Sequence, residues 1–278
     1  MSSPGLLGDT AARDYTRKLQ LFNRCAEPEL RRAIAGLGLR SGQSVLDAGC
    51  GSGEALRWLT EAVAPGGRVV GLDLATAHVT AARKVAPLGT LVLQGDLTRA
   101  PLPKAQFDLI WCVNTINHVR DPGGTVRSMT QLLRPDGRIV LGQSNFLPEM
   151  VFAWDARLER LTNEAVRCYY RERYGLEERD LTAIRALVGI LRGEGLHHVT
   201  AHTLTIERLS PLCSADRQYL LEAIFQATWG ERLRPYLSGE DYAQLQRLCD
   251  PDSAEFALDR PDFHFIQSFT VVLGSVGA

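Results

Sequence analysis

The chain has 278 residues, 45% of them apolar and 23% charged, values that exclude a disordered or fibrous design and provide for one sizeable core. Its 31 basic and 32 acidic residues leave a net charge of -1, so neither nucleic acid nor a membrane surface is an expected partner. The six cysteines (Cys25, Cys50, Cys112, Cys168, Cys213, Cys249) form no CxxC pair or Cys/His cluster, and the first residues lack an export signal's basic start and apolar core, which predicts a cytoplasmic protein without a metal site.

Residues 11–37 repeat apolar positions at helical spacing (Tyr15, Leu19, Phe22, Leu30, Ile34, Leu37), which predicts a helical lid within residues 1–40. Short runs rich in Val, Leu and Ile then alternate with amphipathic stretches. SVLDAG, GRVVGLDL, LVLQGD, FDLIWCVN and GRIVLGQS read as strands; ALRWLTEAVA, AHVTAARKVA and TVRSMTQLLR read as helices. This is the pattern of βα units around a parallel sheet, and it assigns residues 41–145 to a core.

After Ser144 the rhythm stops. Residues 146–192 read as a helical cap insertion that carries Trp154, Tyr169, Tyr170 and Tyr174. Two further strands follow, at residues 197–209 and 264–274, with a helical stretch over residues 216–248 between them. The helical pieces lack strands of their own, so residues 1–278 are expected to form a single domain, with residues 193–278 supplying its last strands and an insertion.

The first strand leads into VLDAGCGSGEAL (residues 45–56), where Gly49, Gly51 and Gly53 fall within five residues. Glycines between a strand and a helix let backbone approach a ligand closely. The spacing is GxGxG, and Glu54 stands where a dinucleotide fingerprint has its third glycine, which argues against NAD. Asp47 is awkward beside a pyrophosphate but suits a ligand that carries an ammonium and a sulfonium.

LDAGCGSG resembles motif I of the class I S-adenosylmethionine-dependent methyltransferases. The following pieces are similar to that family's later motifs in order: GLDL with Asp73 twenty residues after Gly53, QGDL (residues 94–97), FDLIWCVNTINHV (residues 107–119) and LLRPDGRIVLG (residues 132–142). The resemblance implies an α/β, Rossmann-like seven-stranded sheet, mostly parallel with its last strand antiparallel, and S-adenosyl-L-methionine as cofactor. It places Asp47, Gly49, Gly51 and Gly53 by the methionine part, Asp73 with Leu74 at the ribose, Asp96 and Leu97 at the adenine, and Asn114 near the reacting methyl. Asp96 has a second reading as a turn or helix cap, and Tyr15 reads either as closing over the cofactor or as helix packing.

Methyl transfer from a sulfonium is an in-line displacement, in which a hydroxyl acceptor needs a base. His118, just beyond the fourth strand, is the titratable candidate, with packing beside the cofactor as its other reading. Trp154, Tyr169, Tyr170 and Tyr174 read as core packing by residue type and as substrate lining by position. An Asn-Pro-Pro-Tyr motif, typical of amino-methylating DNA enzymes, does not follow the fourth strand, and the chain has no Pro-Cys pair. The expectation is an enzyme that methylates a small organic molecule at N, O, S or C without a metal. A silent cofactor-binding subunit of the same fold and an NAD-dependent oxidoreductase are the alternatives.

Overall fold

The apolar runs of the first half become strands covered on both faces, which is why they read as continuous Val, Leu and Ile and not as an alternation. The computed structural model describes residues 5–7, 9–145, 155–176 and 183–277. Its seven strands are β1 (Ser44–Ala48), β2 (Arg68–Asp73), β3 (Leu91–Gln94), β4 (Phe107–Val113), β5 (Leu133–Asn145), β6 (His197–Leu209) and β7 (His264–Ser275). They lie in the order β3-β2-β1-β4-β5-β7-β6. Strands β1 to β5 pair parallel, and β7 pairs antiparallel with both β5 and β6. The carboxyl ends of β2, β1 and β4 are therefore neighbours, and the ligand crevice of such sheets forms beyond them.

One face carries α1 (Thr16–Cys25), α2 (Glu27–Gly36), α3 (Glu54–Val63) and α4 (Thr76–Val85), packed over Val45, Leu109, Trp111 and Val140. The other face carries α5 (Pro122–Thr130) and, beyond the cap, α7 (Leu187–Gly193), over Leu46, Ile110, Cys112 and Leu141. Local signals set the helix ends. Asp121 accepts from Gly124 N ahead of Pro122 in α5, and Glu27 and Glu29 complement the start of α2.

Helix α1 begins at Thr16, five residues later than the start that periodicity predicts near Ala11. The reason is local and tertiary together. The Asp14 carboxylate accepts Thr16 N at 2.8 Å, while the backbone of Ala11 and Tyr15 bonds to the start of α4 instead of continuing a helix.

The cap consists of α6 (Ala156–Tyr174), α8 (Ser214–Gln218), a π-helix (Tyr219–Gln226), a 3-10 helix (Glu231–Tyr236) and α9 (Gly239–Cys249). Leu158 and Val166 of α6, together with Leu220, Phe225 and Trp229, belong to the same hydrophobic cluster as Val45 and Trp111. Phe225 stacks on Trp229 at 5.6 Å, and each such fully buried side chain contributes about 1.5–3 kcal/mol. A half-buried ionic knot ties β6 to the first helices. Arg208 bonds Glu29 of α2 at 2.9 Å, Asp216 of α8 at 2.8 Å and the carbonyl of Cys25.

Candidate active site

The glycine loop after β1 turns on backbone that side chains rarely adopt. Gly51 and Gly53 have φ of +52° and +93°, and a Cβ on Gly53 would lie 2.7 Å from Ala82 Cα of α4. The surroundings of Gly51 differ: a Cβ there would meet Leu19 Cδ1 of α1 at 3.0 Å, so α1 covers the loop. A Cβ on Gly49 would collide with the Thr115 side chain beyond β4.

Asp73, at the end of β2, holds this loop. Its Oδ2 accepts Gly51 N at 2.9 Å, and its Oδ1 accepts Ala75 N at 2.9 Å and faces His78 Nδ1 at 3.1 Å. His78 Nε2 accepts Tyr15 N at 3.0 Å, so in the neutral ring the proton sits on Nδ1 and is donated to Asp73. A chain of bonds thus runs from the loop through Asp73 and His78 to the start of α1.

Asp47 lies beneath the loop, 3% exposed, and its Oδ2 has no hydrogen-bond partner among the described residues. Burial pushes its carboxyl up to about 8, and the charges of Asp73 and Glu54 add to the rise. A buried carboxyl beside two further acids is poorly placed for an anion and well placed for a cation. The ammonium and sulfonium of S-adenosylmethionine fit it, whereas the pyrophosphate of NAD does not.

The other predicted cofactor positions lie around the same strand ends. Leu74 follows Asp73, and its carbonyl accepts Gln94 Nε2 at 3.2 Å. Asp96 caps a short 3-10 helix through Thr98 N and Oγ1, its alternative reading, and Leu97 is buried behind it. Asn114 has a left-handed φ of +51°, and its Oδ1 is taken up by Ser144 N and Oγ at 2.8 and 3.0 Å, which ties β4 to β5.

A strap made of residues 5–7 and 9–15 crosses these ends. Leu6 N donates to His118 O at 2.9 Å, just beyond β4, and Thr76 N donates to Ala11 O at 3.0 Å, just beyond β2. Because β1 lies between β4 and β2, the strap passes over the glycine loop. Asp9 faces His118 Nδ1 at 3.0 Å. Burial opposes a charge on Asp9, but the hydrogen bond and charge of His118, with Leu7 N and Arg13, hold its carboxyl below the usual range. Tyr15 stands between the two histidines, its ring 6.2 Å from His78 and 6.3 Å from His118.

Comparison with known proteins gives the arrangement a family. A family described as a methyltransferase domain matches residues 46–141. The chain is 32% identical over 205 residues to the malonyl-[acyl-carrier protein] O-methyltransferase of Pseudescherichia vulneris, covering 69% of this chain and 78% of that one. The chain belongs to the class I S-adenosylmethionine-dependent methyltransferases. It is also 36% identical over 112 residues to an uncharacterized 37.1 kDa protein of a Streptomyces fradiae transposon, but spans only 32% of that protein's length. The fold matches that of the YcgJ protein from Bacillus subtilis with a TM-score of 0.53 at 17% identity, over 91% of this chain and 99% of that one.

In this methyltransferase the tyrosines of α6 gather on one side of the strap. Tyr169 and Tyr170 meet edge to face at 5.5 Å, Tyr170 and Tyr174 lie 5.6 Å apart, and Tyr174 Oη accepts Arg13 Nη2 of the strap at 3.1 Å. Arg13 also sits 4.8 Å over the Tyr15 ring. Tyr170 is buried, while Tyr169 and Tyr174 are half-buried. Trp154 lies outside the described residues. The fold thus gathers Asp9, Arg13, Leu19 and His78 beside the residues predicted for the site. Of these, only His78, in the first turn after Asp73, stood near a motif.

Proposed function

We propose that the protein transfers a methyl group to a small organic acceptor held between the strap, α1 and α6, by in-line displacement with His118 as base. The observation that carries this reading is the position of Tyr15, which contacts both the histidine bonded to Asp73 and the histidine paired with Asp9. Cofactor loop and base thereby face one space.

S-adenosylmethionine supplies a methyl group made electrophilic by its sulfonium. Asp47 gives up its proton as the cationic end of the cofactor arrives and faces it as a carboxylate, and Asp73, held by Gly51 N and His78, stands at the ribose position. Leu74, Asp96, Leu97 and Asn114 complete the walls on this reading. The carboxylate of Asp9 can only accept, so it fixes the His118 proton on Nδ1 and leaves Nε2 free to take a proton from a hydroxyl acceptor. Tyr169, Tyr170 and Tyr174 line the acceptor side with apolar faces and polar tips.

The test separates the two ligands. His118→Ala should leave affinity for S-adenosylhomocysteine within twofold by calorimetry and lower kcat for a hydroxyl acceptor about 10²–10⁴-fold, the usual range for a general base. An unchanged kcat in labelled-methyl assays across an acceptor panel would remove His118 from the chemistry.

A further inference from the structure

The strap is fastened at its two flanks by bonds of different kinds. At the β4 flank Leu6 N donates to the carbonyl of His118, and Asp9 faces His118 Nδ1 at 3.0 Å. At the β2 flank Thr76 N donates to Ala11 O at 3.0 Å, and Tyr15 N donates to a side chain, His78 Nε2, at 3.0 Å. A ring nitrogen accepts such a bond only while it carries no proton.

His78 stands in the first turn of α4 and is 7% exposed. Its two nitrogens have opposite tasks. Nδ1 faces Asp73 Oδ1 at 3.1 Å, and Asp73 in turn holds Gly51 N, so one ring joins the glycine loop to the backbone from which α1 starts. A second proton on the ring would strengthen the bond to Asp73 by charge, but it would set Nε2–H against the N–H of Tyr15. The flanks therefore answer acid with opposite sign, because a charged His118 binds the Asp9 carboxylate more strongly. The charged groups around the His78 ring are mostly acids: Asp73 against it, Asp14 one residue before Tyr15, and Asp47 and Glu54 on either side of the glycine loop. Arg13 and His118 lie across the Tyr15 ring, and the basic residues of α4 lie in its last turn.

We propose that His78 is a positioning residue that latches the strap over the cofactor loop while its ring is neutral and releases that flank when the ring takes up a proton. This rests on the reading of the loop beneath the strap as the cofactor seat. His78 acts through Asp73 and Tyr15, and it holds the passage to the seat. Opening a passage speeds entry and exit alike, whereas loss of a ligand contact speeds exit alone.

The experiment follows amide exchange and S-adenosylhomocysteine kinetics in the full chain at about pH 8 and about pH 5, the interval over which imidazoles change charge. Without ligand, and after correction for the intrinsic pH dependence of exchange, the Tyr15 amide should lose about tenfold of its protection at the lower pH, the scale of one hydrogen bond. The Leu6 amide should keep its protection. His78→Gln places an amide that donates to Asp73 and accepts from Tyr15 without titrating, so it should abolish the pH dependence at Tyr15. In stopped-flow mixing at the lower pH, the parent should bind and release S-adenosylhomocysteine about tenfold faster than His78→Gln, with Kd within about threefold. At the higher pH the two should agree, and comparison at equal pH cancels the titration of Asp47 and His118. His78→Leu should bind and release fast at both pH values. Equal protection of Tyr15 at both pH values, a ratio of parent to His78→Gln rates that does not change with pH, or faster release without faster binding would overturn the proposal. A parent protein that binds no S-adenosylhomocysteine would sink the functional reading instead, and the exchange of Tyr15 would still decide the latch.

Discussion

The two walls of the crevice are built in different ways. The cofactor wall is made of backbone: glycines with left-handed φ, strand ends fixed by parallel register, and one acid, Asp73, that bonds Gly51 N and Ala75 N. The proposed acceptor wall is made of side chains that meet only in the folded state, Arg13 from the N-terminal segment, Tyr169 to Tyr174 from α6, and Arg232 from the C-terminal insertion. A wall made of backbone leaves a pattern in local sequence, because only certain residues permit its geometry. A wall made of distant side chains leaves none.

The sharpest test of that contrast is Gly51→Val. A branched Cβ at φ +52° adds strain and presses on Leu19, so affinity for S-adenosylhomocysteine should fall at least about 100-fold. Far-UV circular dichroism should stay unchanged, since Leu19 can move; retained affinity would show that the loop is not the cofactor cradle. Next, Asp73→Ala should weaken the same ligand by about 1–3 kcal/mol, the range for bonds to a charged group. Binding as tight as the parent's would mean that Asp73 serves only to hold the loop.

Asp47 sharpens the comparison through pH. Its carboxyl is pushed up to about 8, whereas in the unfolded chain it ionises near 3.8. The stability contributed by the protonated side chain is complete below that lower value and is lost as pH rises through 8. Asp47→Asn should therefore raise the Tm of the ligand-free protein at pH 9, by an increment that shrinks toward pH 5, and weaken S-adenosylmethionine binding about tenfold at pH 9. Parallel pH profiles for parent and variant would contradict the burial of a carboxyl there.

The smallest effect belongs to the acceptor wall. Tyr174→Phe removes one partner of Arg13 on a half-buried side chain, so KM for the acceptor should rise severalfold, on the order of 1 kcal/mol, with cofactor affinity constant. A change in cofactor affinity instead would mean that Tyr174 acts through the strap.

Legibility in the sequence follows the same division. The five parallel strands stand where Val, Leu and Ile runs predict them, because a strand buried on both faces needs such residues whatever its neighbours do, and the two later strands also stand at the expected places although β6 buries only Ile206. The strap reads as helix because the helical spacing of Tyr15 and Leu19 extends back across residues whose backbone bonds go instead to His78 and Thr76. The π-helix over Tyr219–Gln226 is equally hidden, since an apolar run such as YLLEAIF does not reveal whether its bonds close after four residues or five; Trp229 N reaches back to Ile224 O. Asp9 lies far along the chain from His118, and Arg232 from Tyr169 and Tyr170, and no spacing rule connects them.

The strap also sets a clock. It is fastened at both flanks of the glycine loop, at His118 and at Thr76 and His78, and Arg13 extends it to α6. On the proposed reading, a cofactor seated below it leaves only when those bonds open, while the acceptor side is bounded by half-buried tyrosines. That reading predicts slow exchange of the spent cofactor and binding of the cofactor ahead of the acceptor, which product-inhibition patterns would check.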